Sequence, residues 1–327
     1  MALADSYRAL REHAGIGAVS PRGAVAVAGP DRAAFLQGLL TNDIAALTPG
    51  TGCYAAWLTP QGRMLTDLHV LEAGDMLLLD VPADLVQATL ARLDQFLFSE
   101  DVQLADVSST LRPVWLHGPA APAVLSQVLQ GVDGLDGWAE YHHARAQFSG
   151  APVSVVRISQ LGVPGFCVYL EPAREAALVE ALRQHGAVSA ERDAIDAVRI
   201  EAGYPVFGTD MTDDTIPLEA GIEDRAISLT KGCYVGQEII IRVLHRGHGR
   251  VARRLVAMIV DGSVPVAGGR IFSGEREIGF VTSAARSPRL GPIALGYVHR
   301  DFVAEGAKVE IESGGRVTAV VTAQPIP

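Results

Sequence analysis

Apolar positions along this chain fall into short runs whose period changes several times. Residues 24–28 (Ala-Val-Ala-Val-Ala) form an unbroken run of strand length, stopped by Gly29-Pro30-Asp31. From Arg32 to Leu40 the apolar residues Phe35, Leu36, Leu39 and Leu40 share one face of a helix. Residues 112–129 repeat the grammar: Val114-Trp115-Leu116, then Gly118-Pro119, then an Ala/Leu/Val-rich helix. The pair predicts two related strand–turn–helix units of split βαβ type.

Between these units, Gly52–Leu58 and Met64–Leu71 read as strands joined by the turn Thr59-Pro60-Gln61-Gly62. Met76–Val81 is a further strand, and Ala83–Phe98 a helix with Leu85, Val86, Leu90, Leu93 and Leu97 apolar. Val153–Ile158 and Phe166–Leu170 make a second strand pair, followed by a helix from Pro172 to His185. Strands and helices alternate without the regular spacing of a doubly wound sheet, which predicts an α+β fold. Glu191–Glu201 reads as a helix closed by Gly203, and Tyr204–Leu229 as an ordered irregular segment rich in Gly, Pro, Asp and Thr. Beyond residue 250 short β-type runs alternate with Gly-rich turns, predicting a small all-β barrel or sandwich. The expected division is residues 1–250, holding two interleaved α+β domains, and residues 251–327, a C-terminal β-barrel.

Size and charge narrow the classes. With 327 residues, nearly half of them hydrophobic, the chain has material for two or three packed domains. No apolar run approaches the roughly 18 residues that would span a bilayer, and Met1–Asp5 opens without a basic and apolar leader. The expectation is a cytoplasmic protein without a membrane partner. Cys53, Cys167 and Cys233 stand far apart and odd in number, so neither a disulfide framework nor a zinc site is expected. A net charge of −10 weighs against nucleic acid as a direct partner. The GxxxxGK[ST], strand-following GxGxxG, GxSxG and HExxH patterns are all absent.

One octapeptide concentrates chemistry: Lys231-Gly-Cys-Tyr-Val-Gly-Gln-Glu238. A cysteine on its own is most simply a small buried hydrophobe. Here Lys231 stands two residues from Cys233 and could favour its thiolate, Gly232 and Gly236 permit close approach or positive φ, and a helix starting near Gly236 would aim its positive end at the thiol. Gly-rich turns before helices recruit such residues in any case. Downstream, Arg242, Arg246, Arg250, Arg253 and Arg254 with His245 and His248 reverse the chain's sign. That patch suits a carboxylate or phosphate, or is a solvated face paired with acids elsewhere. His245-Arg-Gly-His248 lacks further ligands at fixed spacing, and no metal is expected. Alternation along Met64–Leu71 puts Asp67 and His69 on one side, as in a lined cavity or a half-exposed edge strand. Glu201 ends a helix, where a carboxylate opposes the dipole, which hints at a partner.

The octapeptide resembles the signature of the YgfZ-type folate-binding proteins, relatives of the glycine cleavage T-protein (aminomethyltransferase). Thr41-Asn-Asp43, Asp67-Leu68, Arg199-Ile-Glu-Ala-Gly-Tyr-Pro-Val-Phe-Gly208, Thr215-Ile-Pro-Leu-Glu-Ala-Gly221, Gly279-Phe-Val-Thr-Ser283 and Ser287-Pro-Arg-Leu-Gly291 resemble segments of that superfamily. The resemblance implies a three-domain cloverleaf around a channel that holds tetrahydrofolate or a C1-substituted derivative. It would make Glu201 a pterin ligand, place Asp67 where the T-protein's catalytic aspartate stands, put Tyr234 at the cofactor, and let Arg242 and Arg254 meet the folate's glutamate carboxylates. Where the T-protein carries Gly-Tyr-Thr-Gly-Glu, this chain has Ser159-Gln-Leu-Gly-Val-Pro-Gly165, and the T-protein lacks Lys-Gly-Cys-Tyr. Those departures imply an accessory protein for iron–sulfur cluster assembly or repair, serving clients such as tRNA-modifying radical enzymes. Cys233 would then be nucleophile or transient ligand, with Lys231 lowering its pKa. The alternatives are a folate-dependent aminomethyl or other C1 transferase, and a non-catalytic scaffold.

Overall fold

The computed structural model describes residues 3–246 and 249–326, so His248 of the basic stretch lies outside the described residues. The architecture is α+β, with an antiparallel sheet packed face to face on a second sheet that is antiparallel but for one parallel edge pair, and a closed barrel beside them.

The first sheet runs in the order Gly52–Leu58, Met64–Glu72, Met76–Pro82, Arg22–Ala28, Gln103–Asp106. Its outer face carries Val25, Val27, Ala55, Trp57, Leu68 and Val70, buried under the helices Arg32–Gln37 and Val86–Asp94. The second sheet runs Val188–Ser189, Gly15–Ile16, Arg112–His117, Gly165–Leu170, Ala151–Arg157, His143–Phe148. The helices Ala121–Val128 and Glu175–Gln184 cover its outer face. Gly15–Ile16 precedes every strand of the first sheet yet pairs in the second, so the two units interleave along the chain. Between the inner faces, Ala24, Leu71 and Leu78 meet Trp115, Val156, Cys167 and Tyr169.

Several elements differ from the sequence expectation. The helix expected over Ala83–Phe98 is a 3₁₀ turn, Ala83–Leu85, followed by a helix that ends at Asp94. The chain leaves the helical path there because i→i+3 bonds from Phe96 and Leu97 tighten it toward the edge strand Gln103–Asp106. The two-residue strands Gly15–Ile16 and Val188–Ser189 are too short to show a period and exist because the sheet pairs them. Within Tyr204–Leu229, Pro217–Ala220 and Glu223–Ala226 each form one helical turn.

The barrel closes in the order Arg253–Asp261, Gly291–His299, Arg276–Ser287, Arg270–Ser273, Lys308–Glu312, Arg316–Thr322. Period-two alternation sends Val256, Met258 and Val260 inward, while Leu255 and Ala257 point out against Ala197 and Ile200. Those two residues belong to the helix Arg192–Glu201, whose other side packs through Ala194, Ile195 and Val198 on Leu10 of the helix Leu3–Glu12. That helix therefore cements the barrel to the rest of the molecule.

Its central polar link is Arg199. The guanidinium is buried and bonds Asp196 Oδ1 at 2.6 Å, Asp210 Oδ2 at 2.8 Å and Ser283 Oγ at 2.7 Å. Asp210 also accepts from Thr282, Ser283 and the Val206 amide, so helix, loop and barrel share one network. Removing one partner of a buried pair strands the other charge, at about 3–5 kcal/mol. Arg199→Leu should lower the urea midpoint by a corresponding amount; a loss under about 1 kcal/mol would contradict this account of the joint.

Candidate active site

The polar centre of the molecule lies between the two sheets. Register pairs Tyr54 with His69 and Ala56 with Asp67 on neighbouring strands, so Tyr54, Asp67 and His69 share the inner face. Arg22, at the start of its strand, reaches over this face with a nearly buried side chain. Its Nη1 donates to Asp67 Oδ1 at 3.0 Å, while Nε and Nη2 donate to Asp80 Oδ1 and the Asp80 carbonyl. Tyr54 donates to Asp67 Oδ2 at 2.8 Å, and Tyr169 of the second sheet donates to Asp80 Oδ2 at 2.6 Å. Asp67 is thus a buried carboxylate held at both oxygens, each with acceptor capacity left.

Aromatic side chains enclose it. His69 lies 5.3 Å from Tyr54 and 5.7 Å from Tyr141, centroid to centroid. Only 1% of it is exposed, and burial first, then Arg22 and Arg225, holds its pKa well below 6.5, so the ring is neutral. Gln160 approaches His69 Nε2 at 3.3 Å, while Nδ1 has no partner among the described residues. Arg225 lies over Tyr204 at 4.5 Å and over Tyr54 at 5.4 Å. It is open to water and also hydrogen-bonds the Tyr204 side chain.

Arg225 is placed by the Thr41-Asn-Asp43 segment. Asn42 Nδ2 donates to the carbonyls of Tyr54 and Arg225 at 2.8 and 3.1 Å, and Thr41 Oγ1 donates to that of Ala226 at 2.6 Å. The same segment receives Lys231. Its Nζ donates to the carbonyls of Gln37 (2.6 Å), Leu40 (2.6 Å) and Asn42 (2.8 Å), just past the helix Arg32–Gln37. The lysine is 8% exposed, and burial lowers its pKa to about 8.

This geometry corrects the expectation that Lys231 serves the Cys233 thiol. The ammonium is spent on three carbonyls, and the thiol whose ionisation it favours is Cys53, which burial nonetheless raises to about 12. Cys233 itself is exposed. Of the two flanking glycines only Gly236 has positive φ, +86°, and a Cβ there would meet the Thr59 carbonyl at 2.5 Å. A Cβ on Gly232 would meet nothing within 4 Å. Gly236 thus lets the loop close onto the Thr59–Gly62 turn. Tyr234 is buried with an unpartnered hydroxyl, and burial raises its pKa to about 12.

Glu201 is accounted for without a ligand. It is 1% exposed, accepts from Tyr7 at 2.9 and 3.0 Å and from Ser287, and lies 3.6 Å from Arg289. Those contacts tie the N-terminal helix to the barrel. Arg254 pairs with Glu223 at 3.1 Å, Arg253 with Glu219 at 3.2 Å, and Arg242 is exposed. The basic stretch is therefore partly a paired face, not a single anion cradle. Among the described residues no group of three or more His, Cys, Asp or Glu could hold a metal ion, and no helix is long and apolar enough to cross a membrane. A cleft of about 390 Å³ opens on the opposite face of the strands, beside Trp57, Thr66, Arg92 and Phe207, and Asp67 does not line it.

Residues 1–231 match the GCVT N-terminal domain, and residues 253–326 match the glycine cleavage T-protein C-terminal barrel domain. The chain belongs to the glycine cleavage T-protein family. Its relatives include the aminomethyltransferase of Geobacillus kaustophilus, 32% identical over 99% of this chain and 89% of that one. The aminomethyltransferase of Moorella thermoacetica is 32% identical over 96% and 86%. The crystal structure of the glycine cleavage system aminomethyltransferase T from Bartonella henselae superposes with a TM-score of 0.87 at 27% identity, covering 99% of this chain and 89% of that one. The family places the T-protein superfamily resemblance on firm ground.

Tyr54, Tyr141, Tyr204, Gln160, Arg22 and Arg225 escaped sequence reading. The signal for Tyr54 was available, since its strand faces that of Asp67 across the predicted turn; the others come from distant segments.

Three buried histidines make stability depend on pH. His69, His117 and His143 all have depressed pKa values through burial, His117 to about 4. Below pH 6.5 the unfolded chain binds protons that these folded rings refuse, so stability present above 6.5 is lost as pH falls toward 4. Urea midpoints of the wild type should drop across that window, and His117→Gln should flatten the drop; parallel curves would exclude His117 as a source.

Proposed function

We propose that this protein is a tetrahydrofolate-dependent transferase of one-carbon units, of the aminomethyltransferase class. Proteins of the T-protein family use tetrahydrofolate as substrate or cofactor. The observation that carries the reading is Asp67, a buried carboxylate held by Arg22 and Tyr54 within a tyrosine-walled centre. The residues fit a pterin: Tyr141 and Tyr204 offer flat aromatic walls, and the buried Nδ1 of His69 has no partner among the described residues. When bound, tetrahydrofolate supplies the nitrogen that carries the carbon unit.

Asp67 is positioned to hold or accept a proton at Oδ2, with Tyr54 fixing the carboxylate's orientation. Arg22 pairs with it while sharing its charge with Asp80. Enclosure by Tyr54, Tyr141 and Tyr204 limits water around these groups, which strengthens each electrostatic contact.

The exposed Cys233 favours a second reading, the iron–sulfur accessory role with client or assembly proteins as partners. A thiol open to solvent, outside the Asp67 centre, can be reached by another protein. The altered segment Ser159–Gly165 supports the same reading, because Gln160 occupies the centre through His69.

Asp67→Asn should retain tetrahydrofolate binding by calorimetry within a few-fold and lose turnover of an aminomethyl donor by about 10²-fold or more. Full turnover in that variant would remove Asp67 from the mechanism. In a strain lacking the protein, Cys233→Ala separates the readings: restored iron–sulfur enzyme activity would dispose of the accessory role for the thiol, and failure to restore it with turnover intact would establish that role.

A further inference from the structure

We propose that Arg225 and His69 form a carboxylate-binding subsite beside Asp67, which takes an acid group carried by the substrate. The inference rests on the one-carbon reading only for where the acid group comes from. Among the described residues Arg225 makes no ion pair with a carboxylate, although it stands in an acidic chain where most buried or half-buried arginines have one. Its neighbours are instead phenols: Tyr204, Tyr54 and Tyr141. Rings of Tyr204 and Tyr54 lie against the guanidinium at 4.5 and 5.4 Å. A guanidinium held by aromatic rings keeps N–H donors free for a planar, two-oxygen acceptor.

His69 supplies the second, independent observation. Gln160 can only donate through its amide nitrogen, so His69 Nε2 accepts and the neutral ring carries its proton on Nδ1. That Nδ1–H is buried and has no acceptor among the described residues. Arg225 and His69 both lie against Tyr54, which itself bonds Asp67. A guanidinium that bonds the Tyr204 phenol but, among the described residues, pairs with no carboxylate, and an N–H without an acceptor, thus flank the ring that holds the reacting carboxylate. Leaving a buried donor unsatisfied costs about 1–3 kcal/mol, which a carboxylate oxygen accepting from His69 Nδ1 would offset.

Arg225 is also held in place from behind. The Arg225 and Ala226 carbonyls accept from Asn42 and Thr41, so its position is fixed by the first sheet before any ligand arrives. The acid group has two possible sources: the glutamate tail of the folate, or a small amino acid whose nitrogen carries the carbon unit.

Calorimetry with two matched pairs of probes tests the subsite in the full-length protein. Tetrahydrofolate against tetrahydropteroamide, in which a neutral amide replaces the glutamate, differs by the acidic tail; N-methylglycine against dimethylamine differs by a small-molecule carboxylate. Arg225→Met should weaken the acid-bearing member of one pair by tenfold or more and leave its acid-free member unchanged, with Arg225→Lys recovering part of the loss. A loss confined to the first pair assigns the folate tail, and one confined to the second assigns an amino acid. Equal effects on both members of each pair, no effect on any, or a wild type that binds neither acid would overturn the subsite. If neither tetrahydrofolate nor tetrahydropteroamide binds the wild type, the folate reading fails by itself while the N-methylglycine pair still decides the subsite. Circular dichroism and the thermal midpoint of each variant confirm that it is folded.

Discussion

Everything at the centre of this molecule depends on one buried guanidinium. Arg22 stands between Asp67 and Asp80 where two sheets meet, and it pairs with two carboxylates that would otherwise be desolvated side by side. Burial pushes the Asp80 carboxyl up, and Arg22 with Tyr169 pulls it back. Tyr169 comes from the second sheet, so the same group that positions Asp67 also fixes how the sheets face each other. Structure and chemistry are inseparable there: the side chain that makes the interface tolerable is the one that orients the carboxylate.

A second tie runs through residues 37–43. Lys231 caps carbonyls left open past the end of the helix Arg32–Gln37, and Thr41 and Asn42 clasp the turn that carries Arg225. The octapeptide's lysine is therefore an anchor for the loop, while its cysteine is carried outward on the surface. Arg199 and Glu201 perform the corresponding task for the barrel, drawing on Asp210, Ser283, Tyr7 and Ser287. Buried charges in this protein are spent mainly on joining units that separately would be small.

Periodicity made the α+β class, the principal strands of both sheets and the barrel legible in the sequence, because alternation and helical spacing are local properties. It also put Asp67 and His69 on one face, since a strand turns its side chains by strict alternation. The octapeptide marked a loop that matters, and the misfit of Glu201 at a helix end signalled a partner, which the structure supplies as Tyr7 and Ser287. Two-residue strands and the early end of the helix at Asp94 left no such trace; pairing with remote segments dictates them.

What the sequence by itself determined is the set of elements and which residues share a face within each. Only the tertiary structure decided where the charges go. Lys231 lies two residues from Cys233 in the chain, yet its ammonium points into carbonyls of residues 37–42, because three acceptors in a buried pocket outcompete one neighbouring thiol on the surface. Arg225, which no motif singled out, reaches the centre because Thr41 and Asn42, nearly two hundred positions away in the chain, hold its backbone there. Hydrogen-bond partners are chosen by distance in space, and spacing along the chain carries no record of that choice.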